Sequence, residues 1–429
     1  MIDTLQPDEQ LSLTLEAEDS LYIRLNESKV RHVFTVEQGN LILSFMKNGR
    51  SIIQSVPFSH DNFLNKKNAF DGLTKCRDVL EILPVDPYCP HLGNDPFDNS
   101  YEDYQANLPS EDFWFDTVLP LLKGPFSDCA GLITSGRVIR SVYNSAGCNH
   151  WYSRDSFTLD LSFYTPQQKA VKLIHNDQRW SEKQIEEKLG FIEQQLRQLD
   201  KPSLEIKPGK YRTYFAPQAV GEFIQMFSLS GADYYQGSSA FKKLFGGQLL
   251  SNKVTLAENF SLGLTPQFNA LGEIAPKCLN LIEKGSLKSW MTSTRTAKEY
   301  HIENHYAEAH ERMRSPHLLT GKVALSEILS TIGTGLYISN LHYLNWSDLH
   351  TGRLTGMTRY ACFWVENGQL KAPIQDLRFD DSLYHFLGEG LVDLTQESET
   401  IINTCTYEQR SVGGLCVPGL LVNDFNYTL

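Results

Sequence analysis

Apolar and polar positions alternate with period two over residues 19–56, where Leu21, Ile23 and Leu25, then Val33 to Val36, then Leu41, Leu43 and Phe45 recur. Successive side chains of an extended chain point to opposite faces, so this spacing predicts strands. Further strands are predicted at 131–144 and 156–164, joined by the turn Ser145-Ala146-Gly147. In the second of these Phe157, Leu159, Leu161 and Phe163 share one face. The period changes after Ser181, where Ile185, Leu189, Ile192, Leu196 and Leu199 form a helical stripe and Ser181 with Gln184 makes a capping box. A strand at 211–215 leads into a helix that Pro217 can start, with Val220, Phe223, Ile224 and Phe227 inward. Shorter helices are predicted at about 70–83, 239–250 and 326–334, and a closing strand at 418–427. The pattern is weakest over 57–130, where Pro, Asp, Asn and Tyr cluster between residues 84 and 104.

Two segments are near copies: Leu281 to Lys288 and Trp364 to Lys371 each read as strand, glycine turn and returning strand, and Phe45 to Ile52 is a looser third. Asn367-Gly368 and Asn48-Gly49 are strong hairpin signals, because a two-residue turn needs φ > 0 at both central positions. Lys207-Pro208-Gly209 is a breaker following the helix end at Lys201-Pro202. It divides the chain into an N-terminal α+β domain at 1–203 and a C-terminal, β-rich α+β domain at 204–429. Strands and helices do not alternate strictly, so the fold class is α+β with largely antiparallel sheets flanked by helices, not a doubly wound sheet.

A net charge of −12 argues against an electrostatic grip on nucleic acid, which requires a basic face. The opening residues are acidic and lack the cationic start and apolar stretch of a secretion signal, and no apolar run reaches membrane-spanning length. The eight cysteines contain no C-x-x-C pair, so neither a zinc ribbon nor a disulfide framework is expected. A cytoplasmic protein with reduced thiols is the expectation.

Several stretches invite a chemical reading. His301-Ile302-Glu303-Asn304-His305, followed by His310, would chelate a metal if His301 and His305 lay four apart on one helix face. Glu303 does not follow the first histidine directly, as H-E-x-x-H chemistry requires, so the segment is read as a polar helix-to-loop stretch, with a metal site of His301, His305 and His310 as the alternative. No G-x-S-x-G elbow is present, and Gly237-Ser238-Ser239-Ala240 reads as a serine-capped helix start. Cys148-Asn149-His150 brings thiol and imidazole together in sequence, which does not make them a couple in space. Gly333-x-Gly335 follows a helix and is no dinucleotide fingerprint. Tyr101, Tyr104, Phe113, Trp114 and Phe115 are read as packing residues.

Taken in order, several segments resemble the TldD/PmbA family of two-subunit cytosolic metalloproteases. They are Val142 to Gly147 with Arg154 to Phe157, Gly237-Ser238-Ser239-Ala240-Phe241, Pro276 to Trp290, and Thr296-Ala297-Lys298. Gly335 to Ile338, Thr351-Gly352, Phe363 to Gly368, Pro373-Ile374 and Leu420 to Tyr427 continue the series. In the metal-bearing, TldD-type subunit the helix ahead of the G-S-S-A-F step carries H-E-x-x-x-H, and a cysteine nearer the C-terminus adds a ligand. Here Phe223 to Ser230 stand in that place, and none can bind zinc as imidazole or carboxylate.

The resemblance therefore implies a PmbA/TldE-type subunit with no catalytic residue, cofactor or metal of its own. Zinc is expected in a TldD-type partner, and the pair would act on small or unfolded peptides. The alternatives are a homodimeric binding or regulatory protein, in keeping with the family's older description as modulators of DNA gyrase, and an autonomous metallopeptidase using the histidines. The long opening helix usual in the family is reduced here to a few residues.

Overall fold

The computed structural model describes residues 1–94, 100–102, 106–124, 128–247 and 249–428. Tyr104, one of the aromatic residues singled out above, lies outside the described residues.

A seven-stranded sheet takes β1 (Glu9–Asn26), β2 (Lys29–Lys47), β3 (Arg50–Phe58), β4 (Ser100–Glu102), β5 (Asp128–Asn144), β6 (Asn149–Tyr164) and β7 (Ala170–Asp177). The order is β3-β2-β1-β5-β6, with β7 and β4 sharing the outer side of β6, and only β4 runs parallel to its neighbour. Apolar residues at odd positions, among them Ile23, Ile133 and the predicted stripe Phe157, Leu159, Leu161 and Phe163, form one buried face. Helix α1 (Asn62–Leu80) covers one end of the sheet through Leu73, Cys76 and Leu80. The other end is covered by the turns α2 (Glu111–Phe113) and α3 (Leu119–Leu121), the π turn Trp114–Val118 between them, and α4 (Glu182–Leu199). Trp114 is fully buried, edge-on to Phe157 and Trp180. The α4 stripe Ile185, Leu189, Ile192, Leu196 and Leu199 is buried as its spacing predicts, and Ser181 Oγ accepts the Gln184 N–H.

The second sheet has thirteen strands. They are β8 (Gly209–Phe215), β9 (Leu256–Asn259), β10 (Cys278–Glu283), β11 (Ser286–Leu287), β12 (Pro316–Leu318), β13 (Gly335–Ile338) and β14 (Asn340–Asp348), then β15 (Arg353–Arg359), β16 (Phe363–Glu366), β17 (Gln369–Pro373), β18 (Arg378–Ser382), β19 (Leu391–Ile402) and β20 (Gly414–Tyr427). The terminal strand β20 is the hub, pairing with β8, β12, β18 and β19. Only β12–β20 and β8–β13 are parallel, so the architecture is the largely antiparallel α+β arrangement expected from sequence. Helix α5 (Pro217–Gln225) packs on this sheet, with Phe223 against Phe215, Phe379 and Phe386 at ring distances of 5.2, 5.8 and 4.8 Å. Burying each such ring contributes about 2–3 kcal/mol. The remaining helices are short: α6 (Gly231–Tyr235), α7 (Lys242–Phe245), α8 (Thr294–Tyr300) and α9 (Ile328–Ile332).

All three repeated hairpins form with two-residue turns: Asn48-Gly49 at φ 52° and 71°, Lys284-Gly285 at 48° and 78°, and Asn367-Gly368 at 50° and 71°. Their closing pairs are Lys47 with Arg50, Glu283 with Ser286 and Glu366 with Gln369.

Three helix lengths differ from expectation for local reasons. Helix α1 begins well before residue 70, because Asp61 Oδ1 accepts the N–H groups of Phe63 and Leu64 and caps it early. The 239–250 helix is reduced to α7, stopped by Gly246-Gly247 with Gly247 at φ 90°. The 326–334 helix is α9 preceded by one 3-10 turn, and Gly333 at φ 67° ends it. Strands β14, β15, β18 and β19 have no counterpart among the predicted strands, nor has β7, whose alternation rests on the short run around Val171 and Leu173.

Two measurements test this account. A β-carbon on Gly285 would lie 2.3 Å from the Leu250 carbonyl oxygen, whereas on Gly368 the nearest atom is Ser330 Cα at 3.2 Å. Urea unfolding should therefore find Gly285→Ala the more damaging, at roughly 3 kcal/mol against 1–2 for Gly368→Ala. The second concerns His175 on β7, whose imidazole is pushed by burial, with Lys188 assisting, down to about 4 from 6.5. The unfolded chain then takes up the proton first, so this stabilisation is complete above pH 6.5 and is lost as pH falls toward 4. About 3 kcal/mol of acid sensitivity in that window should disappear in His175→Phe, as read by urea midpoints at pH 7, 5.5 and 4.

Candidate functional site

Across β1, β5 and β6 the even-numbered face of the first sheet is largely polar, yet it is buried. Ser12, Thr14, Glu18 and Ser20 of β1, Arg140 of β5, and Tyr152, Ser156 and Thr158 of β6 are each at most 8% exposed. Two segments of the second domain cover this face. The loop following Leu262 receives Tyr152 Oη and Arg154 Nη1 at the Gly263 carbonyl (3.0 and 3.1 Å), and further along Ser12 Oγ donates to Ala270 O at 2.6 Å. Asn144 Nδ2 donates to Leu271 O at 2.8 Å.

The second segment is the strap 403–413 between β19 and β20. Three consecutive residues fix it to the first sheet. Gln38 Nε2 donates to the Glu408 carbonyl at 2.8 Å, and Gln409 Nε2 donates to Glu16 at 2.6 Å. The buried Arg410 donates to Ser20 Oγ (3.2 Å), Gly136 O (3.0 Å), Ser156 O (3.2 Å) and Ser156 Oγ (2.9 Å). Arg140, equally buried, returns a hydrogen bond from Nη2 to Arg410 O at 3.1 Å. Burial pulls both guanidinium groups below their usual range. Glu16 and Glu18 offset this for Arg140, and Tyr22 and Glu18 for Arg410. An arginine stays cationic through such a shift. Glu18 is itself held by Tyr22 Oη at 2.9 Å and Gln38 Nε2 at 2.6 Å, and burial together with this carboxylate pushes the Tyr22 hydroxyl upward.

Between strap and sheet remains a cleft whose walls include Arg154, Thr158, Asp160, Asn176, Thr404 and Cys405. Its hydroxyl, amide and guanidinium groups can hydrogen-bond a polar chain. Asp160 pairs with Lys172, which neutralises one end, and Arg154 Nε finds no hydrogen-bond partner among the described residues.

The histidines named from sequence are not assembled. His301 is an exposed residue at φ 54° that ends α8, and the chain beyond it is not helical. The i, i+4 geometry supposed for His301 and His305 therefore does not exist. His305 is buried and held by Thr292 at both its backbone N–H and its ring Nδ1, each 2.9 Å away, while His310 is exposed. Among the described residues no three His, Cys, Asp or Glu side chains are placed to hold a metal ion. Cys148 Sγ lies 3.1 Å from Gly93 O and His150 Nε2 lies 3.2 Å from Gly272 O, so each is engaged with a backbone carbonyl. Ser239 Oγ accepts the Phe241 N–H, and Tyr101 stacks on Tyr152 at 5.4 Å.

Two helices, α5 and α6, precede Gly237-Ser238-Ser239-Ala240-Phe241, and the side chains of α5 do not fit a zinc ion. Of the window Phe223 to Ser230 only the first three residues are helical, Phe227 and Leu229 are core, and Ser230 caps α6. The less buried side of α5 presents Gln218, Glu222 and Gln225, with no imidazole or thiol. Glu222 is a half-buried carboxyl, raised by burial alone. Toward the C-terminus, Cys405 is exposed and Cys416 is buried with Sγ 3.5 Å from Ser398 Oγ.

Sequence reasoning missed Arg410, because a single arginine in a loop carries no periodic signal. The polar face carries a period-two signal, since Ser12, Thr14, Glu16 and Glu18 alternate with Leu11, Leu13, Leu15 and Ala17.

Comparison with known proteins bears on the whole chain. Residues 208–428 match the model of the PmbA/TldA metallopeptidase C-terminal domain. The fold is similar to the crystal structure of TldE from Thermococcus kodakarensis, with a TM-score of 0.80 and 15% identity over 98% of this chain and 97% of that one. A protein from Thermotoga maritima described as a candidate modulator of DNA gyrase has a TM-score of 0.76 at 14% identity, covering 98% and 96%. A second so described, from Bacteroides thetaiotaomicron, has a TM-score of 0.74 at 16% identity, covering 98% and 94%. No curated protein matches in sequence.

Removing the guanidinium tests the clamp. Arg410→Ala leaves two hydroxyls and two carbonyls without their donor, and should lower stability by roughly 3 kcal/mol. Hydrogen exchange should accelerate first at 403–413 and at the strand segments around Ser20, Gly136 and Ser156. A uniform acceleration across both sheets would reject a localised clamp.

Proposed function

Because this chain belongs to the PmbA/TldD family of metallopeptidase-related proteins, we propose that it is the metal-free, PmbA/TldE-like subunit of a two-subunit zinc peptidase. The observation that carries this reading is the stretch Phe223 to Ser230, which offers no imidazole, carboxylate or thiol where the metal-bearing subunits of the family carry H-E-x-x-x-H. In this reading the chain supplies walls and strand edges, and the partner's zinc supplies the Lewis acid for hydrolysis of small or unfolded peptides.

A surface feature supports a partner. Strand β2 pairs with β1 along its length, but β3 covers its other side only from Gly39 to Lys47. Residues 29–38 thus leave an open edge among the described residues, with Val30, Val33 and Phe34 exposed by 38, 37 and 47%. Such an edge can be extended by another chain through main-chain hydrogen bonds. A second copy of this protein on that edge, forming a homodimer without peptidase activity, is the competing arrangement. Direct action on DNA is disfavoured by the net charge of −12. Among the described residues no helix is long and apolar enough to cross a membrane.

The purified chain should bind zinc substoichiometrically and leave unstructured peptides intact. Co-expression with a family member bearing H-E-x-x-x-H should give a complex that holds zinc and cleaves the same peptides until a chelator is added. Chelator-sensitive cleavage by the lone chain, abolished in His301→Ala or His305→Ala, would overturn the proposal in favour of an autonomous enzyme.

A further inference from the structure

Beside α6 lies a pocket away from the interdomain cleft, walled by Tyr235, Phe245, Leu287 and Trp290, with Glu303 and His305 also lining it. The aromatic walls are braced from behind: Tyr234 stacks on Trp290 at 4.8 Å and packs on Phe245 at 4.4 Å, and Tyr235 stacks on Tyr300 at 4.6 Å. Tyr235 and Phe245 nevertheless remain 43 and 56% exposed. Ordered aromatic rings left open to solvent in a concave site are a recognition feature.

Hydrogen-bond accounting assigns the His305 tautomer. The Thr292 hydroxyl has one proton and donates it to the Glu303 carbonyl at 2.7 Å. Its lone pairs accept the His305 backbone N–H at 2.9 Å and face the ring Nδ1 at 2.9 Å. All three contacts are satisfied only if Nδ1 carries the hydrogen. In the neutral imidazole so oriented, the Nε2 lone pair lies on the side of the Glu303 carboxylate, 3.6 Å from Oε2. Two acceptors face each other, and no donor among the described residues stands between them. Lys288 also lines the pocket, and its ammonium is turned to Glu283, 3.6 Å away.

We propose that this pocket binds a primary ammonium group on an apolar stem, its N–H groups shared between His305 Nε2 and Glu303 and its charge facing the aromatic walls. An ammonium has three donors and no acceptor, which is the complement of this pair, and it is attracted to aromatic faces. The proposal rests on the reading of this protein as one that handles peptides, which makes the α-ammonium of a peptide N-terminus the expected source. A lysine side chain offers the same group.

The test uses the isolated full-length chain at pH 7, without partner or metal, and calorimetric titration with Leu-Leu-amide, its N-acetyl twin and Nα-acetyl-lysine amide. Leu-Leu-amide should bind about tenfold or more tighter than the acetylated peptide. Glu303→Gln and Tyr235→Ser, both at exposed side chains, should each remove most of that preference without lowering the melting temperature. Tighter binding of the lysine amide than of Leu-Leu-amide assigns the source to side-chain ammonium groups. Equal affinity for the free and acetylated peptides, unchanged affinity in both variants, or no binding at millimolar ligand would overturn the proposal. Cleavage by the two-subunit complex is a separate readout: a pair that hydrolyses peptides while this titration stays flat defeats the pocket alone. A pocket that selects ammonium while no pair shows activity defeats the peptidase reading alone.

Discussion

The two halves of this molecule are held together across a polar sheet face, and that face can be buried only because a guanidinium reaches into it. A hydroxyl-lined sheet brought against another domain loses its water, and each group left without a partner costs about 1–3 kcal/mol. Arg410 supplies donors to Ser20, Ser156 and Gly136 at once, and its own carbonyl takes a donor from Arg140. No apolar residue at that position could do the same. The arrangement differs from a buried ion pair, because the charge is met by neutral oxygens, with Glu18 acting only through space. Domain orientation is thereby set by directional bonds, where a greasy interface would permit sliding.

The inward side of α5 is fixed by the Phe215, Phe223, Phe386 and Phe425 cluster, which anchors the helix on β8 and β20. The other side presents Gln218, Glu222 and Gln225, of which only Gln225 is exposed, and burial raises the Glu222 carboxyl. Packing residues and polar residues therefore lie on different faces of one short helix.

The legible parts of the fold were those with local signals: the period-two runs of β1, β5 and β6, the α4 stripe with its serine cap, and the three glycine turns. Each of these is decided within a few residues. The illegible parts were decided elsewhere in the chain. The early start of α1 depends on one Asp61 cap, and α7 was cut short by glycines that a hydrophobicity pattern does not weigh. The histidine segment misled in one respect, since the i, i+4 idea assumed helix where the backbone turns left-handed at His301. The residues that carry the site proposals, Arg410, His305 and Trp290, meet partners far away in sequence, and no window reading could pair them.

The open edge of β2 raises the question of why such a strand does not aggregate. An uncovered edge carrying Val33 and Phe34 is a template for pairing. Its guards are Lys29 and Arg31 at one end and Glu37 at the other, together with a bulge where Leu25 faces Val30 and Arg24 faces His32. Parallel in-register stacking of copies would set lysine on lysine and glutamate on glutamate, which is repulsive. Antiparallel pairing about Val33 would instead bring Lys29 opposite Glu37. The charge pattern thus blocks the pairing mode of fibrils while leaving open a closed, two-chain one. An edge that tolerates one orientation of partner and rejects endless stacking is what a subunit needs if its work is done across an interface.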